Sequence, residues 1–387
     1  MILVSLSFFF GILVHATTST KNEDSTTLSC PIHQPCTTAL ASHNPITLKC
    51  EDQPKNAAVY WQYLDTSQPH ARPVTFLKSK GSVPEDNDVN LQKQHKILNL
   101  MSRSEIVAGN LKLLSPRIQD TGIYTCREKG NYLAYYELDF QDSENIYISH
   151  VVLGNKVLPN TSIDLGPVGT AEVFTVWSSW QTCDRCGTLG ERKKVGFCYM
   201  EISKNVTVKE DPRPCGLVNH GQAQFSHAPE LRIEMCHEAC TETSSMEDEN
   251  LAIVLVNYQT YLHADILLQC PSSSIYKPVS WKHGNTSFMH LHQMMNNASY
   301  VLDKKTGGGS LFIPLLNKSD EGIYRCYVEH RMVGRFHVIF ANIDGSSAPQ
   351  YYSIPESIVL GLSLFLLVLL CFSILQQCKG NDRRMMH

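Results

Sequence analysis

Six cysteines crowd the stretch from Trp177 to Cys240: Cys183, Cys186, Cys198, Cys215, Cys236 and Cys240. An even set this dense forms a disulfide framework or a metal site. In a reducing compartment, Cys183/Cys186 and Cys236/Cys240 would be two pairs of zinc ligands. In an oxidising one the thiols pair and zinc loses them, so the compartment decides. The same stretch holds Trp177, Trp180 and the basic run Arg192-Lys193-Lys194. Arg192 and Lys194 lie two apart and share a face if the run is a strand. A cation over an indole is an attractive contact. His290 and His292 would also share a strand face and could take a metal, although solvated surface histidines are commoner. No HExxH run, GxSxG elbow or phosphate loop occurs. The sequence therefore assigns no catalytic residue, no metal and no cofactor, and implies no enzyme.

Compartment is read from the ends of the chain. Residues 1–16, MILVSLSFFFGILVHA, form an apolar run closing on Val14-His15-Ala16, a small-residue cleavage pattern. The run is shorter than the roughly 20 apolar residues of a span, so a signal peptide is expected. Near the other end, 358–375 is eighteen uncharged residues, just long enough to cross a bilayer. Lys379, Arg383 and Arg384 follow it, which places a cytoplasmic tail at 376–387. A glycolipid-anchor signal is the alternative, but such signals end in their hydrophobic tail. The resulting expectation is a single-pass type I membrane protein with its N-terminus outside. Of fourteen cysteines, twelve precede the apolar run, and all twelve can then pair. A formal charge of −4 supplies no field that would draw nucleic acid.

The elements that position these residues are strands. Ile46, Leu48 and Cys50 alternate with polar residues, as a half-buried strand does. Trp61 follows Cys50 by eleven positions, and Tyr124-Thr-Cys126 comes later. Cysteine, tryptophan and Tyr-x-Cys in this order mark an immunoglobulin sandwich, with the cysteines bridging two sheets. A variable-type domain over 30–153 is expected. The pattern repeats at Cys270, Trp281 and Tyr324-Arg-Cys326 within 251–343. Cys30 and Cys36 suit a small local loop, yet could pair elsewhere. Linkers are expected at 154–176, rich in Pro and Gly, and at the acidic stretch 241–250, with a stalk at 344–357. Glycosylation sequons stand at Asn160, Asn205, Asn285, Asn297 and Asn317, and none falls between Ile46 and Leu153.

The segment 177–240 resembles a thrombospondin type 1 repeat. Trp177-x-x-Trp180-x-x-Cys183, Cys186-Gly187, Arg192-Lys193-Lys194, Pro214-Cys215-Gly216 and a closing cysteine pair carry the likeness. It departs in having one residue fewer between Cys183 and Cys186 and in lacking the fucosylated hydroxyl residue. The resemblance implies the pairs Cys183–Cys236, Cys186–Cys240 and Cys198–Cys215, tryptophans stacked with cations, and C-mannose on Trp177. The whole order resembles the family with sequence similarity 187. The runs at Ser29–Cys36, at Tyr136–Asp142 and at Gly190–Tyr199 after Cys183-Asp-Arg-Cys186 carry that likeness. It implies a single-pass membrane protein with immunoglobulin-like domains and no established activity.

The expected fold is all-β: two immunoglobulin-like sandwiches flanking a small disulfide-rich thrombospondin-repeat-like module, plus one transmembrane helix. The expected function is extracellular recognition or adhesion with a protein partner on or outside the membrane. The alternative is an accessory subunit of another membrane protein, since 376–387 holds no Tyr, Ser or Thr. Tyr132 and Tyr135, in the loop after Cys126, are candidate ligand contacts because tyrosine supplies amphipathic area at low entropic cost.

Overall fold

The computed structural model of the 387-residue chain describes residues 26–30, 36–50, 58–68, 70–79, 95–165, 169–205, 208–209, 211–218, 227–240 and 254–341. The expected signal peptide, acidic linker, stalk, apolar run 358–375 and tail lie outside them. Among the described residues no helix is long and apolar enough to cross a membrane.

Alternating apolar residues build the first sandwich from two sheets. One orders Thr26–Leu28, Ile46–Leu48, Asn110–Leu113 and Ser104–Val107. The other orders Cys36–Ala41, Asn131–Gln141, Gly122–Glu128, Tyr60–Leu64 and Val74–Lys78. Cys50–Cys126 ties the sheets together, and Trp61, level with Cys126, is fully buried beside the bridge. Cys30–Cys36 closes where the chain passes from one sheet to the other. Tyr124 donates its hydroxyl to the Asp120 carbonyl at 2.7 Å, and Arg103 pairs with the Asp120 carboxylate at 2.7 Å. Replacing Tyr124 by Phe leaves that buried carbonyl without its partner. We expect a loss of about 1 kcal/mol in a denaturant melt, with the bridges intact.

The second sandwich repeats this plan. A five-stranded sheet orders Val254–Thr260, Arg331–Phe340, Gly322–Val328, Val279–His283 and Thr286–Phe288. A three-stranded sheet orders Ile266–Gln269, Ser310–Ile313 and Val301–Leu302. Cys270–Cys326 joins them beside Trp281, and Tyr324 donates to the Asp320 carbonyl at 2.9 Å.

Between them lies a seven-stranded sheet centred on the long strand Leu189–Asn205. It draws in more chain than the cysteine spacing suggests. The stretch expected as the linker 154–176 contributes Thr161–Asp164 and Thr170–Trp177, which pair antiparallel. Gly154, Pro159 and Gly169 lie outside these strands, while Ala171 and Val173 point inward from the alternating strand. Tyr147–His150, expected within the first domain, pairs in parallel with Glu230–His237 of the central sheet. Three bridges, Cys183–Cys236, Cys186–Cys240 and Cys198–Cys215, hold this region.

The three regions share a core. Ala39, Ala41 and Ile146 from the first, Val195, Phe197, Leu231 and Ile233 from the centre, and Ile275 from the second form one buried cluster. Tyr276 of the second domain donates no slack to it: its hydroxyl accepts the Ala41 N–H at 2.7 Å. Asn44 seals the edge. Its amide donates to the Ser42 and Lys305 carbonyls, both at 2.8 Å, and accepts the Ile275 N–H at 2.7 Å.

Candidate functional site

Two surfaces and one buried junction hold the residues singled out by sequence. The first surface is the outer face of the five-stranded sheet in the first domain, where Tyr60, Gln62 and Thr125 are buried and Tyr132 is exposed. Register places Tyr60, Arg127 and Tyr132 in one cross-strand row, with Gln62, Thr125 and Tyr135 in the next. The Arg127 guanidinium lies 4.4 Å from the Tyr132 ring centre and 5.9 Å from that of Tyr60. It also donates to the Gln62 amide oxygen at 3.3 Å and to the Gly130 carbonyl. Tyr132 is thus propped on a fixed cation while 55% of its surface stays in solvent. Tyr135 is half-buried. Burial raises its hydroxyl pKa, and the neighbouring Glu137 carboxylate adds to the rise. Tyr136 instead points into the core, its ring 6.2 Å from Trp61 and its hydroxyl on the Lys49 carbonyl.

The second surface is the tryptophan face of the central sheet. Arg192 lies over Trp180 at 5.2 Å, and Lys194 over Trp177 at 4.6 Å and Trp180 at 5.0 Å. Arg192 is also paired with Glu234. Burial lowers the Lys194 pKa, and the nearby Arg232 cation lowers it further.

The junction lies behind that face. Strand alternation sends Arg192 and Lys194 outward and Glu191 and Lys193 inward, so the basic run splits between two environments. Glu191 is 2% exposed. Its carboxylate accepts the His290 N–H at 2.9 Å, the Leu291 N–H at 2.8 Å and His290 Nδ1 at 3.1 Å. His150 Nε2 stands 3.7 Å away, an ion-pair distance. Burial opposes the charge on Glu191, but the histidines and the Leu291 N–H hold its pKa well below the usual carboxylate range. Lys193, 1% exposed, donates to the Gly307 carbonyl of the second domain. Burial lowers its pKa against the opposing pull of Asp184, Glu191 and Asp303. Arg185 pairs with Asp184 at 2.8 Å and reaches the Phe288 carbonyl at 3.2 Å. On the other side, Gln141 brackets Cys198, donating to its carbonyl at 2.9 Å and accepting its N–H at 2.8 Å.

This geometry corrects the reading of His290 and His292 as neighbours on a strand face. They open the short helix His290–Met294, where His290 is buried on Glu191 and His292 is exposed. Residues two apart on a helix point in different directions, so the pair does not converge. Cys183, Asp184 and Cys236 come together, but both sulfurs are consumed by their bridge. The sequon asparagines Asn160, Asn285, Asn297 and Asn317 are exposed. Asn205 ends the long central strand, and the rest of its sequon lies outside the described residues.

Fold and junction define an immunoglobulin-type chain with a disulfide-bonded sheet built between its two sandwiches. No family model matches the chain. Among known proteins, the Ig-like V-type domain-containing protein FAM187A of Mus musculus is 24% identical over 313 residues, covering 73% of this chain and 72% of that protein. FAM187A of Bos taurus is 23% identical over 321 residues, with the same coverage. The chain is thus similar to the FAM187A proteins, whose name records an Ig-like V-type domain. Among solved structures, the Ig1–2 module of the Drosophila receptor protein tyrosine phosphatase DLAR is 11% identical. It covers 80% of this chain and 97% of that one, with a TM-score of 0.19.

Proposed function

We propose that this protein is a type I membrane glycoprotein that recognises a protein partner through the exposed Tyr132 edge of its first domain's five-stranded sheet. The observation that carries this reading is Tyr132, held outward over Arg127 on a domain that bears no sequon. Tyrosine and arginine are the side chains most enriched at binding hot spots. The name of the FAM187A relatives, as Ig-like V-type domain proteins, supports an extracellular recognition role. The leader at 1–16 and the apolar run at 358–375 support a single-pass topology with the N-terminus outside. The exposed sequon asparagines suit N-glycans. The three central bridges and the stacked tryptophans support a variant thrombospondin-type repeat with C-mannose at Trp177.

Cells displaying the full-length protein provide the test. Proximity labelling on their outer face identifies candidate partners, and each is then offered to variant-bearing cells. Tyr132→Ala with Tyr135→Ala should reduce capture about tenfold, the scale of one lost hot spot, with unchanged surface amount. Undiminished capture sinks this reading and moves attention to Arg192–Lys194.

A second reading, lateral assembly with another membrane protein, rests on the second domain. Leu267, Phe312 and Val301 are register neighbours on the outer face of its three-stranded sheet, with Leu267 47% and Val301 45% exposed. On that reading the labelled partner co-purifies from the same cell and is not captured from an opposing one.

A further inference from the structure

The five-stranded sheet of the second domain carries an arrangement its fold does not require. Trp281, Cys326 and Gly334 form one cross-strand row on the inner face. In the adjacent row Lys282 is the register partner of Arg325, and Arg325 of Arg335. Residues opposite each other project from the same face, so three cations stand side by side across three strands. Neighbouring strands lie about 4.8 Å apart, so the whole row spans about 10 Å. Like charges directly opposite one another destabilise a sheet.

Nothing among the described residues neutralises the row. Neither guanidinium has an ion pair or a side-chain hydrogen bond, and both Nε atoms are buried without a partner. Lys282 only leans on the Tyr327 ring, 5.6 Å from its centre. The nearby acids are turned elsewhere: Glu329 pairs with Lys277 at 3.7 Å, and Asp320 caps the Asn317 N–H at 2.8 Å. His337, two residues beyond Arg335, shares the outer face and adds no negative charge. The first domain shows what the fold needs here. Its equivalent row, one step from the Trp61–Cys126 pair, is Gln62, Thr125 and Tyr135, with Gln62 donating to Thr75 at 3.2 Å. An uncharged row therefore serves this sandwich.

We infer that Lys282, Arg325 and Arg335 form a docking surface for an acidic protein partner, one presenting clustered carboxylates. The guanidinium fork matches a carboxylate through two parallel hydrogen bonds. Tyr327, beside the row, and the two arginines are types enriched in protein interfaces, where lysine is depleted. That composition favours a protein over a sulfated glycan. This surface is separate from the Tyr132 face and stands or falls without it.

Purified full-length protein is titrated with a fluorescein-labelled deca-glutamate peptide, followed by anisotropy. Saturable binding is expected, and Arg325→Gln with Arg335→Gln should weaken it by about tenfold or more, the scale of one to two lost charge pairs. Raising salt from about 0.05 M to about 0.15 M should weaken it as well. Arg325→Lys with Arg335→Lys keeps the charge but not the fork, so it should bind between wild type and the glutamine variant, and Tyr132→Ala should retain all of the binding. The double glutamine variant should melt at the same or a higher temperature, because the repulsion is gone. Absence of peptide binding, equal binding by the glutamine variant, or a lower melting temperature for it overturns the inference. Binding of heparin without binding of the peptide, lost in the same variant, also overturns it and assigns the row to a sulfated glycan.

Discussion

Replacing Glu191 by Ala should destabilise the protein by about 3–5 kcal/mol, the cost of removing one partner from a buried charge cluster. Lys193 would then lie buried with one of its neighbouring carboxylates gone, and the His290 and Leu291 N–H groups would lose their acceptor. Chemical denaturation of the purified chain measures the loss. Glu191→Gln should recover part of it, since an amide oxygen still accepts one N–H. The pH dependence separates charge from shape. The carboxyl is held well below its usual range in the folded state, so its contribution is fully present above the unfolded value of about 4.3. That contribution drains away as pH falls from there through the folded value. The gap between wild type and Glu191→Gln should therefore be flat from neutral pH to about 5 and narrow only in stronger acid.

Removing the Cys50–Cys126 bridge should cost about 2–5 kcal/mol and keep the protein from the cell surface. The two cysteines are 76 positions apart and their bridge lies in the core of the first sandwich, at 3% and 0% exposure. Most of the domain's chain is therefore released in the unfolded state when the link is cut. Cys30–Cys36 closes only six positions. Its paired alanine variant should lose less, because the entropy removed by a cross-link grows with loop length. Surface biotinylation, set beside the melting curves of both variants, checks this order. Equal losses would show that Cys30–Cys36 does more than close a local loop.

The sandwiches were legible because their signature is covalent and local. Cys50, Trp61, Tyr124 and Cys126 sit at spacings that only a bridged pair of sheets uses, and Cys270, Trp281, Tyr324 and Cys326 repeat them. That Arg192 and Lys194 share a face was legible from strand period, and their stack on the tryptophans from the likeness to a thrombospondin repeat. The same period held an unused signal. It puts Glu191 and Lys193 on the face of Val195 and Phe197, and charged residues in an apolar row call for buried partners. Those partners, His150 and His290, lie some forty and a hundred positions away, and no spacing rule reaches them. The segment 154–176 was obscured differently. Pro159, Gly166, Pro167 and Gly169 punctuate this stretch of sequence, and punctuation alone does not show whether the residues between are idle or paired. The cationic row was invisible because it depends on register across three strands.

The shared core of Ala39, Ala41, Ile146, Phe197 and Ile275 bears on how such a chain can change over generations. Tandem immunoglobulin domains on slack linkers can be shuffled, duplicated or trimmed like separate parts. Here each part supplies a wall of the others' interior, so excising one would bare an apolar patch on those left behind. Substitutions at Asn44, Gln141 or Ile275 would have to be answered in a neighbouring module. Relatives should therefore gain and lose loops at the rim while inheriting the three modules as one block.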